Sequence, residues 1–418
     1  MPNSINQQSS ANINLYDGGV TSPQGFKAAG ICAGIKKDRK DMAMLYSIRP
    51  CTLAGTFTQN LVKAAPVVWD YNIVKTYRTA QACVMNSGVA NACTGTQGAE
   101  YCVKTAMAAA EALGLNMKQV LLASTGVIGM QLPIDTICEG TKTLAGMLSD
   151  TREAGSAATE AIMTTDTKRK EIAVSFELGG KTVTIGGMTK GAGMIHPNMG
   201  TMLCFLTTDA KISAEMAQQA LLSCVKDSFN MISVDGDQST NDTCLLLCNG
   251  LADNPEIAEE DADYETFRAA LEMVTKNLAR RMAADGEGAH ALFEVKVTGA
   301  STKKQAVTLA KSVIESSLVK AAIAGHDANW GRIICAMGYS GAEFDPNKVN
   351  LTFESSAGSV KIAENSVSTG YSEELATEIL SQDEITAIID IQEGDAEATA
   401  WGCDLTHEYV TINADYRS

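Results

Sequence analysis

Residues 190–210, KGAGMIHPNMGTMLCFLTTDA, constrain this chain more than any other stretch. A Gly-rich loop punctuated by methionines runs straight into Thr201, and Thr201 opens the apolar run 202–206. That run is too short for a helix and is bounded by Thr207, Thr208 and Asp209, so it predicts a buried strand. Upstream, the alternating runs 171–176 and 182–185 flank Gly179-Gly180 and predict a β-hairpin that delivers the chain into the loop. A threonine at a loop-to-strand junction stands where self-cleavage is chemically productive. Cutting Gly200–Thr201 would put a free amine beside the hydroxyl of the same residue, uniting nucleophile and base. By position alone, a β-branched residue starting a strand is the commoner meaning of such a threonine.

The rest of the chain reads as mixed strand and helix. An Ala-rich helix spans 98–113 and stops at Gly114. A strand over 117–123 then leads into a loop at Ser124, Thr125 and Gly126. Ser213 caps a helix to about Lys226, and another helix runs over 264–284 before Asp285-Gly286. Residues 293–298 alternate as a strand, 303–322 read as one helix, and 410–413 as a closing strand. The hairpins argue against a purely parallel sheet, so a layered α+β fold with mixed sheets is expected. Gly180-Lys181-Thr182 mimics the end of a phosphate-binding loop, but Ser175 stands where glycine is required and no helix follows.

Composition narrows the function. With 418 residues the chain has room for two domains. Its net charge of −16, from 33 Lys+Arg against 49 Asp+Glu, argues against a nucleic-acid partner, which demands a basic footprint. The acidic run 256–265 reads as a solvated surface. No apolar run of membrane-spanning length and no secretory signal is seen, and the polar start is expected to be loose as far as Leu15. The 12 cysteines form no C-x-x-C pair and read as buried thiols of a reducing, cytoplasmic compartment. The four histidines are scattered, so no metal site is expected.

A series of motifs resembles the ornithine acetyltransferase family, the bifunctional glutamate N-acetyltransferases/amino-acid acetyltransferases of arginine biosynthesis. GGVTSPQGFKAAG begins at Gly18, AGTFTQNLVKAAPV at Ala54, NSGVANACTG at Asn86 and STGVIG at Ser124. SVDGDQSTNDT begins at Ser233, GHDANWGRI at Gly325, and the chain closes with AWGCDLTHEYVTINADYRS from Ala400. The resemblance runs nearly end to end. It implies a layered α/β/β/α core of the N-terminal-nucleophile type with a smaller C-terminal α/β domain. The expected division is 1–290 and 291–418, with the terminal residues returning to the active site. Self-cleavage at 200/201 would yield an α chain, 1–200, and a β chain, 201–418, assembling as a heterotetramer of two of each.

The resemblance also assigns roles. Thr201 is the nucleophile, and Thr125 with Gly126 form the oxyanion hole. Thr164, Lys190, Thr201, Glu287, Asn413 and Ser418 contact substrate. The reaction implied is ping-pong transfer of acetyl from N2-acetyl-L-ornithine to L-glutamate, with no cofactor. Acetyl-CoA as a second donor varies within the family. An aminopeptidase or amidase using water as acceptor is the alternative, and a non-catalytic assembly protein a third. Four positions depart from the family pattern: Gly200 replaces the usual alanine, Val89 replaces an asparagine, and His290-Ala291 replace Thr-Lys.

Overall fold

This computed structural model describes residues 12–196 and 202–416. Among them, nine strands form the first sheet: β1 (Asn14–Tyr16), β2 (Phe26–Ile31), β3 (Met42–Phe57), β4 (Thr79–Val89), β5 (Val120–Val127), β6 (Lys170–Leu178), β7 (Lys181–Lys190), β8 (Leu203–Thr208) and β9 (Thr243–Cys248). The order is β1-β6-β7-β8-β9-β3-β4-β5, with β2 also paired to β3. The hairpin β6–β7 turns on Gly179 and Gly180, both at positive φ, as a two-residue turn between twisted strands demands.

The long strand β3 shapes this sheet. Its first half pairs with β2 and β4, its second half with β9, and its register against β4 shifts between Tyr46 and Cys51. The sheet therefore folds over onto itself, and strands on both sides bury both faces. On β8, Cys204 and Leu206 face one apolar cluster while Leu203 and Phe205 face another. On β5, Leu121 and Ala123 join that second cluster and Val120 and Leu122 turn to a third. Each fully buried Leu or Phe side chain contributes about 1.5–3 kcal/mol. Helices α1 (Ala65–Thr76), α2 (Gly95–Leu113) and α3 (Ile134–Met147) cover the β4–β5 side, and α4 (Arg152–Ile162) lies on β2 and β3. Helices α5 (Ala214–Lys226) and α6 (Ala262–Ala284) cover the β6–β9 side. The result is the layered α/β/β/α arrangement.

Helix α6 shows the local logic. The Asp261 side chain accepts from the Tyr264 amide at 2.9 Å, Asp263 and Glu265 sit at the positive end of the dipole, and Tyr264, Phe267, Leu271, Val274, Leu278 and Met282 bury one stripe. The same cluster continues into a second sheet of mixed direction, ordered β13-β12-β11-β14-β10-β15. Its strands are β10 (Leu292–Ala300), β11 (Asn350–Ser355), β12 (Gly358–Glu364), β13 (Val367–Ser368), β14 (Glu384–Asp390) and β15 (Ala396–Cys403). The accompanying helices are α7 (Lys303–Glu315), α8 (Ser317–Ala324), α9 (Trp330–Gly338), α10 (Glu373–Leu380) and α11 (His407–Asp415).

Four expectations are corrected. The helix expected over 303–322 breaks at Ser316, whose extended backbone ends α7 and whose hydroxyl caps α8 by accepting from the Val319 amide. The strand expected over 410–413 is part of α11. Thr406 caps it, Val410 and Thr411 are exposed and Ile412 is half-buried, so strand propensity gives way to the capped helix. Thr125 and Gly126 lie within β5 rather than in a loop beyond it. Cys32, Cys93 and Cys335 are exposed, contrary to a wholly buried thiol set. Among the described residues, no helix is long and apolar enough to cross a membrane.

Candidate active site

The ends of two parallel strands make one wall. Ser87 and Gly88 of β4 lie beside Thr125 and Gly126 of β5, and the register slips at Val89. Gly126 has φ +130°, and a Cβ there would sit 2.2 Å from the Gly88 carbonyl carbon. Only glycine permits that approach. Asparagines lock the strand ends. Asn86 accepts from the Ser124 hydroxyl at 2.6 Å and donates to the Val89 carbonyl at 2.9 Å. Asn241 donates to the Ala90 and Ser124 carbonyls at 2.6 and 2.7 Å.

Lys190, at the end of β7, reaches across. Its ammonium donates to the Thr125 hydroxyl oxygen at 3.0 Å and to that of Thr164 at 3.1 Å. Each threonine accepts from the lysine, so its own proton is free to donate into the cleft. Burial lowers the Lys190 pKa, opposed by the Asp166 carboxylate and reinforced by Lys170.

Thr164 follows α4, and its short loop is held from two sides. Lys36 donates to the Met163 carbonyl at 2.8 Å and Arg39 to the Thr164 carbonyl at 3.1 Å. Asp166 accepts from the Thr164 amide at 3.0 Å and the Gly191 amide at 2.7 Å. Burial alone would raise the Asp166 pKa. The charges of Lys170 and Lys190 and these hydrogen bonds outweigh it and hold the carboxyl well below the usual range. Lys170 is 1 % exposed and pairs with both Asp166 and Asp285. Asp285 in turn accepts from the Thr167 and Lys168 amides.

The opposite wall is Glu287, just past α6. Its amide donates to the Ala192 carbonyl at 2.9 Å, and its carboxylate packs so closely on Gly193 that a Cβ there would lie 2.4 Å away. The chain end folds back onto this wall. Asp404 accepts from the His290 and Ala291 amides, Thr406 donates to the Gly288 carbonyl, and Asn413 donates to the Glu287 carboxylate at 2.7 Å.

Thr125, Gly126, Thr164, Lys190, Glu287 and Asn413 thus line one solvent-open cleft. Gly200, Thr201 and Ser418 lie outside the described residues. The described chain resumes at Met202, which lines the same cleft. Sequence reasoning missed Asp242 and Tyr416, which also line it, and the supports Lys36, Arg39, Asp166 and Lys170. Asp242 is the penultimate residue of the motif SVDGDQSTNDT, the one signal that could have pointed to it.

The family model described as ArgJ family matches residues 27–418. Arginine biosynthesis bifunctional protein ArgJ of Caldanaerobacter subterraneus subsp. tengcongensis is 47% identical, covering 97% of this chain and 100% of that protein. The protein of the same name from Symbiobacterium thermophilum is 50% identical, covering 96% and 99%. Among solved structures, the ornithine acetyltransferase of Mycobacterium tuberculosis complexed with ornithine is 38% identical, with a TM-score of 0.42 over 46% of this chain and 100% of that one. A match over nearly the whole length, from β2 to the chain end that closes the cleft, means that the chain belongs to the ArgJ family.

Proposed function

We propose that this protein transfers the acetyl group of N2-acetyl-L-ornithine to L-glutamate through an acetyl ester on Thr201, in arginine biosynthesis. The observation that carries the reading is the convergence of Thr125, Gly126, Thr164, Lys190, Glu287 and Asn413 on one cleft from distant parts of the sequence. In self-cleavage the Thr201 hydroxyl attacks the Gly200 carbonyl, the peptide becomes an ester, and water releases the α chain 1–200 and the β chain 201–418. The freed amine has an unperturbed pKa of about 7.7–8.0, suited to a base near neutral pH.

The Thr125 hydroxyl, oriented by Lys190, and the backbone at Gly126 are the oxyanion donors. Each such donor is worth about 2.7–4 kcal/mol of barrier. Glu287, fixed by Asn413, suits the side-chain ammonium of ornithine. Lys190 and Thr164 suit its carboxylate. Glutamate then takes the acetyl group in ping-pong fashion, and acetyl-CoA is a second donor to be tried. The catalytic core is 1–290 and the smaller domain 291–418, with two α and two β chains assembling in the cytoplasm. Membership of the family supports transfer and not the water-using aminopeptidase alternative.

Intact mass of freshly purified protein beside Thr201→Ala tests this reading, followed by an acetylornithine/glutamate transfer assay. Two fragments parting at 200/201 in wild type alone, with transfer to glutamate exceeding hydrolysis, are expected. A full-length wild type without transfer sinks the reading.

A further inference from the structure

Among the described residues, three buried side-chain oxygens have no hydrogen-bond partner: Asp70 Oδ2, Asp242 Oδ2 and Asn277 Oδ1. Of these residues only Asp242 lines the cleft, and it is 1 % exposed. A buried carboxyl oxygen without a partner is costly and calls for an explanation. Its main chain is firmly placed. The Asp242 carbonyl accepts from the Thr58 amide at 3.0 Å, and the next amide, of Thr243, donates to the Met202 carbonyl at 2.9 Å. Asp242 therefore stands opposite Met202 at the start of the parallel pair β8–β9, and Met202 is the residue bonded to Thr201.

In the uncleaved chain the surroundings favour a neutral carboxyl. Burial pushes Asp242 well above the usual carboxylate range, against the pull of Ser239, the Met202 amide, Thr58 and Lys190 toward the charged form. A neutral carboxyl has one proton to give, and its Oδ2 has no acceptor among the described residues.

We propose that Asp242 is a catalytic residue, the acid that protonates the leaving amine and the base that takes a proton from the incoming one. This rests on the Thr201 reading above. In the first half-reaction Thr201 Oγ1 bonds to the acetyl carbon and its proton passes to the Thr201 amine. The C–N2 bond of acetylornithine breaks, and N2 takes the Asp242 proton and departs as a neutral amine. In the second half the neutral α-amine of glutamate bonds to the acetyl carbon and gives a proton to the Asp242 carboxylate. The ester C–O bond breaks, and Thr201 Oγ1 recovers its proton from the ammonium.

The test compares wild type and Asp242→Asn on two acetyl donors, acetylornithine and p-nitrophenyl acetate, whose leaving group departs as a phenolate and takes no proton. Cleaved protein is quantified by intact mass and folding by thermal melting. Asparagine keeps the shape and cannot deliver the proton. The expected result is transfer from acetylornithine reduced about 100-fold or more, the scale of general-acid catalysis, with the nitrophenolate burst per cleaved chain within about 3-fold of wild type. Self-cleavage, which also breaks an amide, should be slowed but not stopped. Equal retention of both donors, loss of both, or a folded variant that never cleaves would each overturn the proposal. Wild type that neither cleaves nor transfers would instead overturn the functional reading itself.

Discussion

Gly126 and Gly88 meet backbone to backbone at the end of β5, and this contact decides where the oxyanion donors point. In Gly126→Ala a methyl group would collide with the Gly88 carbonyl in a backbone region that side chains avoid. We expect about 100-fold lower acetyl transfer, from a displaced oxyanion donor, and a stability loss of about 1–3 kcal/mol in urea titration. Wild-type kcat in this variant would show that the donors lie elsewhere.

Lys36 makes a pH prediction. Burial, reinforced by Arg39 and Lys190 and opposed by Asp41 and Asp166, lowers its pKa from 10.5 to about 8. The folded protein thus binds this proton less tightly than the unfolded chain, and the charged form costs stability below about 8. That cost is relieved as pH rises from about 8 toward 10.5. Wild type should therefore gain in Tm relative to Lys36→Met between about pH 7 and pH 10. A difference independent of pH would mean that Lys36 titrates as it does in the unfolded chain.

At the scale of elements, α11 is the informative case. It buries none of its residues, yet Asn413 on it holds the Glu287 carboxylate. Ending the chain after Leu405 removes these contacts to the cleft wall and should raise the KM for acetylornithine about 10-fold or more. A truncated protein with normal KM would remove the chain end from the site. The sequence reading had Asn413 by resemblance but expected a strand there, because Val410, Thr411 and Ile412 carry strand propensity. The end of α7 was misjudged for a similar reason. The periodicity continues past Ser316, and only the backbone turn and the hydroxyl cap reveal two helices. Elements whose pattern and caps agreed, such as α5 with Ser213 and the β6–β7 hairpin with its glycine pair, were legible throughout.

Across the whole molecule, the buried Asp166–Lys170–Asp285 group joins the Thr164 loop to the end of α6, and so one wall of the cleft to the other. Removing the cation leaves two carboxylates facing each other out of water. Lys170→Met should lose about 3–5 kcal/mol of unfolding free energy, read by denaturant titration. A loss below about 1 kcal/mol, the ordinary value for an exposed pair, would mean that water reaches the group. Nothing in the run TTDTKRK separates Lys170 from Lys168 or Arg169, since burial is set by what packs over β6 and not by residue type.

The sequence by itself determined the mixed α+β class, the hairpin leading to residue 190, the helix ends at Gly114 and Ser213 and the candidate residues named by family resemblance. These depend on local chemistry: glycine at positive φ, hydroxyls at helix starts and side-chain period. Tertiary structure alone decided that β3 folds the sheet onto itself, that Lys190 is buried between two threonines, and that Asp242, a cleft-lining residue, keeps a buried oxygen without a partner. Each of these depends on residues far apart in the chain meeting out of water, where a charge or a carboxyl acquires properties that no local pattern encodes.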